Sequence, residues 1–492
     1  MPYVPLDIPP GVAGNGTDLQ AAGRWRDVDL VRWVEGVLRP VGGWRTRQST
    51  FITNPPRGAL AWRQNDGARW IAAGSYDQLS VMTQAGIVTD ITPSDLVDGL
   101  EAAARNRGYG GSTYGTGFYG VTRPDNGSYS EATTWSLDTW GEYLVACSTA
   151  DGRLLEWQLN TSNDAAAITN APVDNAALLV TEERFLFALG AGGNPRKIQW
   201  SDREDNTTWT PAATNEAGDF ILQTSGQIMC GVRARGNALI LTDTDAHAAS
   251  YIGPPFVYSI QRVGSSCGAI SRRSAVSTPS GVFWMGTKGF HVFDGQSVSD
   301  VPCSVFERVF EEMNVSQTSM VWAMSLGQYN EVWWFYPSST STEPDRYVTF
   351  NYSTGVWAIG AMPRSAGVDQ GVFDLPIMMD ADGAVYDHEV GLFYGGGAPY
   401  AETGPISLGA GDQVMKVTQL VPDEKTRGDV QATFKTRFYP NADETTFGPY
   451  DMTAPTDVRF TGRQVRMRVT GVNDRDFRMG IMRINAIPGG RR

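Results

Sequence analysis

The chain has 492 residues, with 40 Lys and Arg against 53 Asp and Glu, for a net charge of −13. Its 55 Gly and 27 Pro make up about 17% of it, 11% of residues are aromatic and only 19% are charged; an average protein has roughly 12% Gly plus Pro and about 25% charged residues. Such a chain is too apolar and aromatic to be disordered and too glycine-rich for a helical bundle or coiled coil. It also lacks the basic surface needed to grip nucleic-acid phosphates as a main task.

The start, Met1-Pro2-Tyr3-Val4-Pro5, shows neither the basic nor the apolar segment of a secretion leader. No apolar run reaches the roughly 18 residues of a membrane span. The four cysteines, Cys147, Cys230, Cys267 and Cys303, form no C-x-x-C pair and no disulfide framework. They read as buried free thiols of a protein made in a reducing cytosol. Residues 1–50 contain Val28–Val34, a Glu35-Gly36 turn and Val37-Leu38, ending in Gly42-Gly43-Trp44. This predicts an N-terminal arm and hairpin feeding the first element of a repeat.

Recurrence organises residues 51–395. A short apolar run, a polar or glycine-containing turn and a second apolar run return seven times. One register residue from each first run gives Trp70, Tyr143, Phe185, Leu239, Phe283, Val332 and Ile377. Five of the six steps between them fall in the range 42–54, and the first, of 73, accommodates an insertion at about 93–132. Continuous apolar runs rich in Val, Ile and aromatics are strands buried on both faces. A four-stranded propeller blade needs roughly 40–50 residues, and radial stacking covers every blade face. The expected fold is therefore all-β, a six- or seven-bladed β-propeller. Within the insertion, Ser94 to about Arg107 is a candidate helix and 108–120 a glycine–aromatic loop. Residues 304–314 read as a short amphipathic helix with Ser304 at its start. From about 400 to 492 the strands alternate without the blade period, which predicts an additional C-terminal β-sandwich-like domain.

Motifs that carry chemistry are sparse. Gly115-Thr116-Gly117-Phe118-Tyr119-Gly120 matches G-x-G-x-x-G, but no helix pattern follows to receive a pyrophosphate. Asp202–Trp209 resembles the turn-forming Asp-box of sialidase-type propellers only at Thr208 and Trp209. His247, His291 and His388 are 44 and 97 residues apart, without metal spacing. Asp380-Ala381-Asp382-Gly383 and Asp243-Thr244-Asp245 read as turns rather than calcium loops. No catalytic residue, cofactor site or metal site is assigned.

Two features suggest partner contacts. The glycine-rich loop presents Tyr109, Tyr114, Phe118 and Tyr119, and mobile glycines with aromatic anchors suit interfaces. The C-terminal 34 residues hold nine Arg and two Asp, including Arg466 and Arg468 on one strand face and Arg491 and Arg492 at the end. Residues 401–492 carry 14 basic and 11 acidic residues, leaving 26 basic against 42 acidic, a balance of −16, in residues 1–400. An acidic body beside a basic-ended domain suggests contact between copies.

Three blocks carry a resemblance. They are Leu239–Thr242 with Tyr251-Ile252-Gly253-Pro254-Pro255-Phe256-Val257-Tyr258 and Gly264–Ser271; Gly281–Gly295; and the 109–120 loop leading into Trp135–Ala146. Over roughly residues 15–390 the chain resembles the tail nozzle (tail hub, or packaged-DNA stabilisation) proteins of short-tailed bacteriophages. The resemblance implies a structural virion protein of the tail, made in the host cytoplasm. It implies a homo-oligomeric ring, a hexamer, below the portal and adaptor, continuing the DNA channel, retaining packaged DNA and opening for ejection. Implied partners are the tail adaptor, tail fibre or spike proteins, passing double-stranded DNA and the host envelope. It carries over no catalytic residues, and the chain is expected not to be an enzyme. An acidic wall would let DNA pass without sticking. The alternatives are a tail-tip receptor- or glycan-binding propeller, with or without glycosidase activity, and a cytoplasmic scaffold propeller.

Overall fold

The computed structural model describes residues 3–105, 129–408, 413–426 and 428–489. Seven antiparallel four-stranded sheets form the blades of a propeller. Blades 1 to 6 are residues 59–90, 135–167, 177–221, 228–265, 275–301 and 322–361. Blade 7 takes three strands from residues 366–388, and its outer strand is Trp44–Gln48 from the N-terminal region. Each blade's first strand packs beside the first strands of its two neighbours, so the ring closes from blade 7 back to blade 1. The blade number left open between six and seven is therefore seven.

The register residues all mark one structural position. Trp70, Tyr143, Leu239, Phe283, Val332 and Ile377 lie on the second strand of their blades, and Phe185 directly precedes it. Second strands are covered by a blade on each face, which is why they read as unbroken apolar runs. Glu331–Tyr336 is buried along its whole length. Cross-blade aromatic packing fills the wedges, as where Phe290 of blade 5 meets Trp334 of blade 6 with centroids 4.8 Å apart.

The expected N-terminal hairpin forms, Val31–Val34 against Val37–Pro40, but it leads into the outer strand of blade 7 rather than the first blade, and the segment before it joins the C-terminal domain. Val4–Leu6 adds a strand to one sheet of the C-terminal domain, and Trp25–Asp29 adds one to the other. The two sheets form a β-sandwich, with Met415–Val421, Thr456–Gly462 and Met482–Pro488 in the first and Tyr400–Thr403, Val430–Arg437, Thr445–Asp451 and Gln464–Gly471 in the second. One buried cluster runs from Phe290, Trp334 and Trp357 of blades 5 and 6 through Trp25 and Val28 of the arm to Phe434 and Val469 of the sandwich. Burying such aromatic and branched side chains contributes about 1.5–3 kcal/mol each, so the arm fastens the sandwich to the propeller. The Val31–Val34 and Val37–Pro40 hairpin adds an ionic clasp. Arg32, 4% exposed, donates to Glu389 at 3.0 and 2.6 Å and lies 3.4 Å from Glu331.

The helix expectations divide. Phe306–Glu312 is helical, but Ser304 does not cap it; its hydroxyl donates to the Val12 carbonyl in the arm. No helix forms between Ser94 and Ala104. The amides that would build it are taken elsewhere: Val97 by the Asp151 carboxylate, Gly99 by the Tyr76 carbonyl and Leu100 by the Thr133 hydroxyl. Asp380 and Asp202–Trp209 form local turns. Asp380 accepts the Asp382 and Ala384 amides, and Trp209 is buried with its indole donating to the Asn206 carbonyl.

Candidate functional site

The first strands of the blades begin around the propeller axis, and each brings a small residue there. Ala59, Ser136, Ala177, Gly231, Ala275, Ala323 and Gly367, one per blade, line a central cavity of about 230 Å³. At two of these points a Cβ would press on the neighbouring blade, 2.9 Å from Leu189 of blade 3 at Gly231 and 3.0 Å from the Trp322 ring of blade 6 at Gly367. The cavity is far too small to pass a DNA duplex, whose major groove alone is about 12 Å wide.

Arginines gather where chain segments cross from one blade's outer edge to the next blade's first strand. Arg57, Arg273 and Arg364 each stand two residues before such a strand. They stitch neighbouring crossings through backbone carbonyls. Arg57 donates to the Glu101 carbonyl at 3.0 Å, Arg273 to the Ser365 carbonyl at 3.0 Å, and Arg272 to the Ile228 carbonyl at 3.1 Å. Two of the four have carboxylate partners. Glu343 grips Arg57 in a fork, and Glu131 lies 3.4 Å from Arg272 Nε. Arg273 and Arg364 pair with no carboxylate among the described residues. Burial, with Arg57 nearby, pulls Arg273 down to about 9 despite the opposing pull of Glu343. Arg364 is drawn down to about 10 by burial, stacked over Trp44 and Tyr386 and donating to His388 Nε2 at 3.0 Å.

The stem of the insertion lies across this end of the axis. Ala104–Arg105 pairs with Tyr129–Ser130. Gln317, in the connection from blade 5 to blade 6, exchanges two hydrogen bonds of 2.9 Å with the Ala103 backbone, and the Tyr129 hydroxyl donates to the Ser316 carbonyl. A second cavity of about 480 Å³ opens beneath the stem, lined by Leu100, Tyr129, Glu131, Gln227 and Arg272. Arg272 thus borders both spaces. No cluster of His, Cys, Asp or Glu among the described residues could hold a metal.

The residues singled out for partner contact lie apart from this mouth or outside the described residues. Tyr109, Tyr114, Phe118, Tyr119, Arg491 and Arg492 lie outside the described residues. Arg466 and Arg468 share the strand Gln464–Gly471, and their charges are engaged within the chain. Arg466 meets Asp18 of the arm, and its Nε lies 3.0 Å from Glu444. Arg468 lies 3.6 Å over the Tyr400 ring and 3.4 Å from Glu402. The histidines are likewise structural. His291 Nδ1 faces Asp300 at 2.8 Å, His247 Nε2 lies 3.1 Å from Asp245, and His388 is buried beside Arg364.

The fold defines a seven-bladed β-propeller carrying a β-sandwich. No protein-family model matches the chain, and no curated protein matches its sequence. Solved structures that resemble it include virginiamycin B lyase from Staphylococcus aureus, at 7% identity and a TM-score of 0.44, covering 70% of this chain and 98% of that one. Another is PorZ, a bacterial surface component of the type-IX secretion system of Porphyromonas gingivalis, at 8% identity and a TM-score of 0.37, covering 77% of this chain and 44% of that one. These likenesses concern the fold alone. They correct one expectation: a chain without catalytic motifs was expected not to be an enzyme, yet the propellers found beside it include a lyase. The expectation is withdrawn.

Proposed function

We propose that the chain is a structural subunit of a short-tailed bacteriophage tail, assembling through copies of itself into a ring that continues the DNA channel. One observation carries the reading. The block Tyr251–Tyr258, which bears the sequence resemblance, is the tip of the long outer hairpin of blade 4, formed by the nine-residue strands Asp245–Gly253 and Val257–Ser265. At that tip Phe256 is 75% exposed and Ile252 55% exposed. Below it, Tyr258 is fixed against Phe185, Phe187 and Trp200 of blade 3, so the tip stands on a rigid base. An exposed aromatic on a rigid support suits a contact between subunits.

The narrow axis supports the same reading in a second way. DNA would run not through the propeller but through the lumen enclosed by several copies, whose net charge of −13 each repels phosphate. Light scattering and electron microscopy of the purified full chain test the proposal. The expected result is a closed ring that Phe256→Asp converts to folded monomers. A wild-type chain that stays monomeric at all concentrations, alone and in tail preparations, sinks it.

A further inference from the structure

The mouth of the propeller axis holds more positive charge than its neighbours neutralise. Glu343 is the one carboxylate that acts on Arg273, and both its oxygens are committed to Arg57 at 2.8 and 2.5 Å. The Arg273 end nitrogens reach backbone carbonyls, at 3.0 Å to Ser365 and 3.4 Å to Met320, while its Nε has no partner among the described residues. Arg272 repeats the pattern in part: its Nη1 reaches two carbonyls and its Nε makes no hydrogen bond, although the Glu131 carboxylate lies 3.4 Å from it. Both side chains border the axial cavity. A part-buried guanidinium with no carboxylate of its own, as at Arg273, is held at a cost, and its unused Nε–H beside a cavity is a donor with room for a ligand to receive it.

The cavity supplies the space. Ala59, Ala275, Ala323 and Gly367 leave room around the axis, and about 230 Å³ is ample for a group of four or five heavy atoms. The planar fork of Arg matches an oxyanion better than it matches water, because two N–H groups meet two oxygens at once. We propose that the axial mouth binds a small oxyanion, an inorganic phosphate or a carboxylate of similar size, with Arg273 as its principal partner and Arg272 as the second. The site is independent of the tail reading, since it lies within one propeller and needs no second copy.

Calorimetric titration of the full chain at constant ionic strength tests this, with inorganic phosphate in one arm and acetate in the other. One saturable site per chain is expected in at least one arm. Preference for phosphate identifies a tetrahedral anion, and preference for acetate a carboxylate; both support the site. Arg273→Gln should weaken binding by about tenfold or more, the loss expected for charge-assisted hydrogen bonds. Arg63→Gln, on the exposed end of a blade 1 strand, should leave it unchanged. The bound anion should also raise the wild-type melting temperature and not that of Arg273→Gln. If Arg273→Gln fails to fold, Arg272→Gln and the charge-retaining Arg273→Lys give the same comparison, with Lys weaker because it lacks the fork. No saturable heat with either anion up to about 10 millimolar overturns the proposal. So does a folded Arg273→Gln chain that binds as the wild type does.

Discussion

Asp29 offers the sharpest test of how the arm is held. It sits where the arm strand Trp25–Asp29 meets blade 6, and its Oδ1 accepts the Ala361 amide at 2.9 Å. Burial pushes its carboxyl up to about 6, against the Ala361 and Leu30 amides and Arg346, which favour the charged form, while Asp27 adds to the rise. An acid raised in the folded state weakens folding once it must ionise. The folded chain holds its proton up to about pH 6 and the unfolded chain releases it near 3.8. Stability from this group therefore falls between those values, and the full penalty stands above them. Two units at about 1.4 kcal/mol each make roughly 3 kcal/mol.

Asp29→Asn removes the charge and keeps an acceptor for Ala361, at a loss of about 1 kcal/mol of charge-assisted hydrogen bonding. The variant should therefore be the more stable by about 2 kcal/mol near pH 7.5 and no better than wild type near pH 4. Hydrogen exchange on peptides covering residues 25–30 and 356–361 reads this locally. Comparing variant and wild type at each pH cancels the intrinsic exchange rate. The ratio of their opening constants should move by about two decades across that range. A ratio flat within about threefold would refute the argument that burial, rather than hydrogen bonding, governs Asp29.

Two further outcomes follow from the same joints. Gly383 turns at φ +77°, and a Cβ there would stand 1.8 Å from the Ile52 carbonyl oxygen, so Gly383→Ala should cost more than about 2 kcal/mol; an unchanged melting temperature would contradict it. Burial raises the Asp18 carboxyl, but Arg466 and Arg437 outweigh it and hold the group below its ordinary value, so its contribution is present above that value and lost as pH falls. Asp18→Asn should destabilise the chain at neutral pH and match wild type in strong acid, read from melting curves across pH.

The propeller was legible because second strands are covered on both faces and betray themselves as apolar runs, as with Val332–Phe335 and Val282–Met285. First strands are not legible in that way. Their axial residues are small for reasons of space, so Ala59, Gly231 and Gly367 carry no hydrophobic signal, although a small residue stands 7 to 11 positions ahead of the register residue in all seven repeats. The arginines before Ala59, Ala275 and Ala366 were open to the same alignment, since each falls two residues ahead of its strand. Closure of blade 7 by Trp44–Gln48 and the sharing of Val4–Leu6 and Trp25–Asp29 with the sandwich join residues more than 300 positions apart. No local pattern encodes such pairings. The false helix after Ser94 has the same origin, since side chains and carbonyls of distant loops claim its amides.

The division of charge takes on a different meaning once Arg466 and Arg468 are located. A domain of +3 beside a body of −16 suggested attraction between copies, but Arg466 is already met by Asp18, Glu402 and Glu444, and Arg468 by Glu402. Asp18 of the arm and Glu402 and Glu444 of the sandwich thus neutralise the basic strand within its own chain, and Arg459, Arg475 and Arg483 remain as exposed basic groups of the sandwich. Two modes of ring assembly then separate by salt. Contact through Phe256 and Ile252 is apolar and should persist or tighten as salt rises. Contact through scattered surface arginines is screened within about 10 Å at 0.1 M ionic strength. Ring formation measured by light scattering from about 0.05 to 0.5 M sodium chloride should therefore hold constant or increase. A ring that dissolves over that range, and that Arg459→Gln weakens more than Phe256→Asp, would move the contact from the hairpin tip to the sandwich.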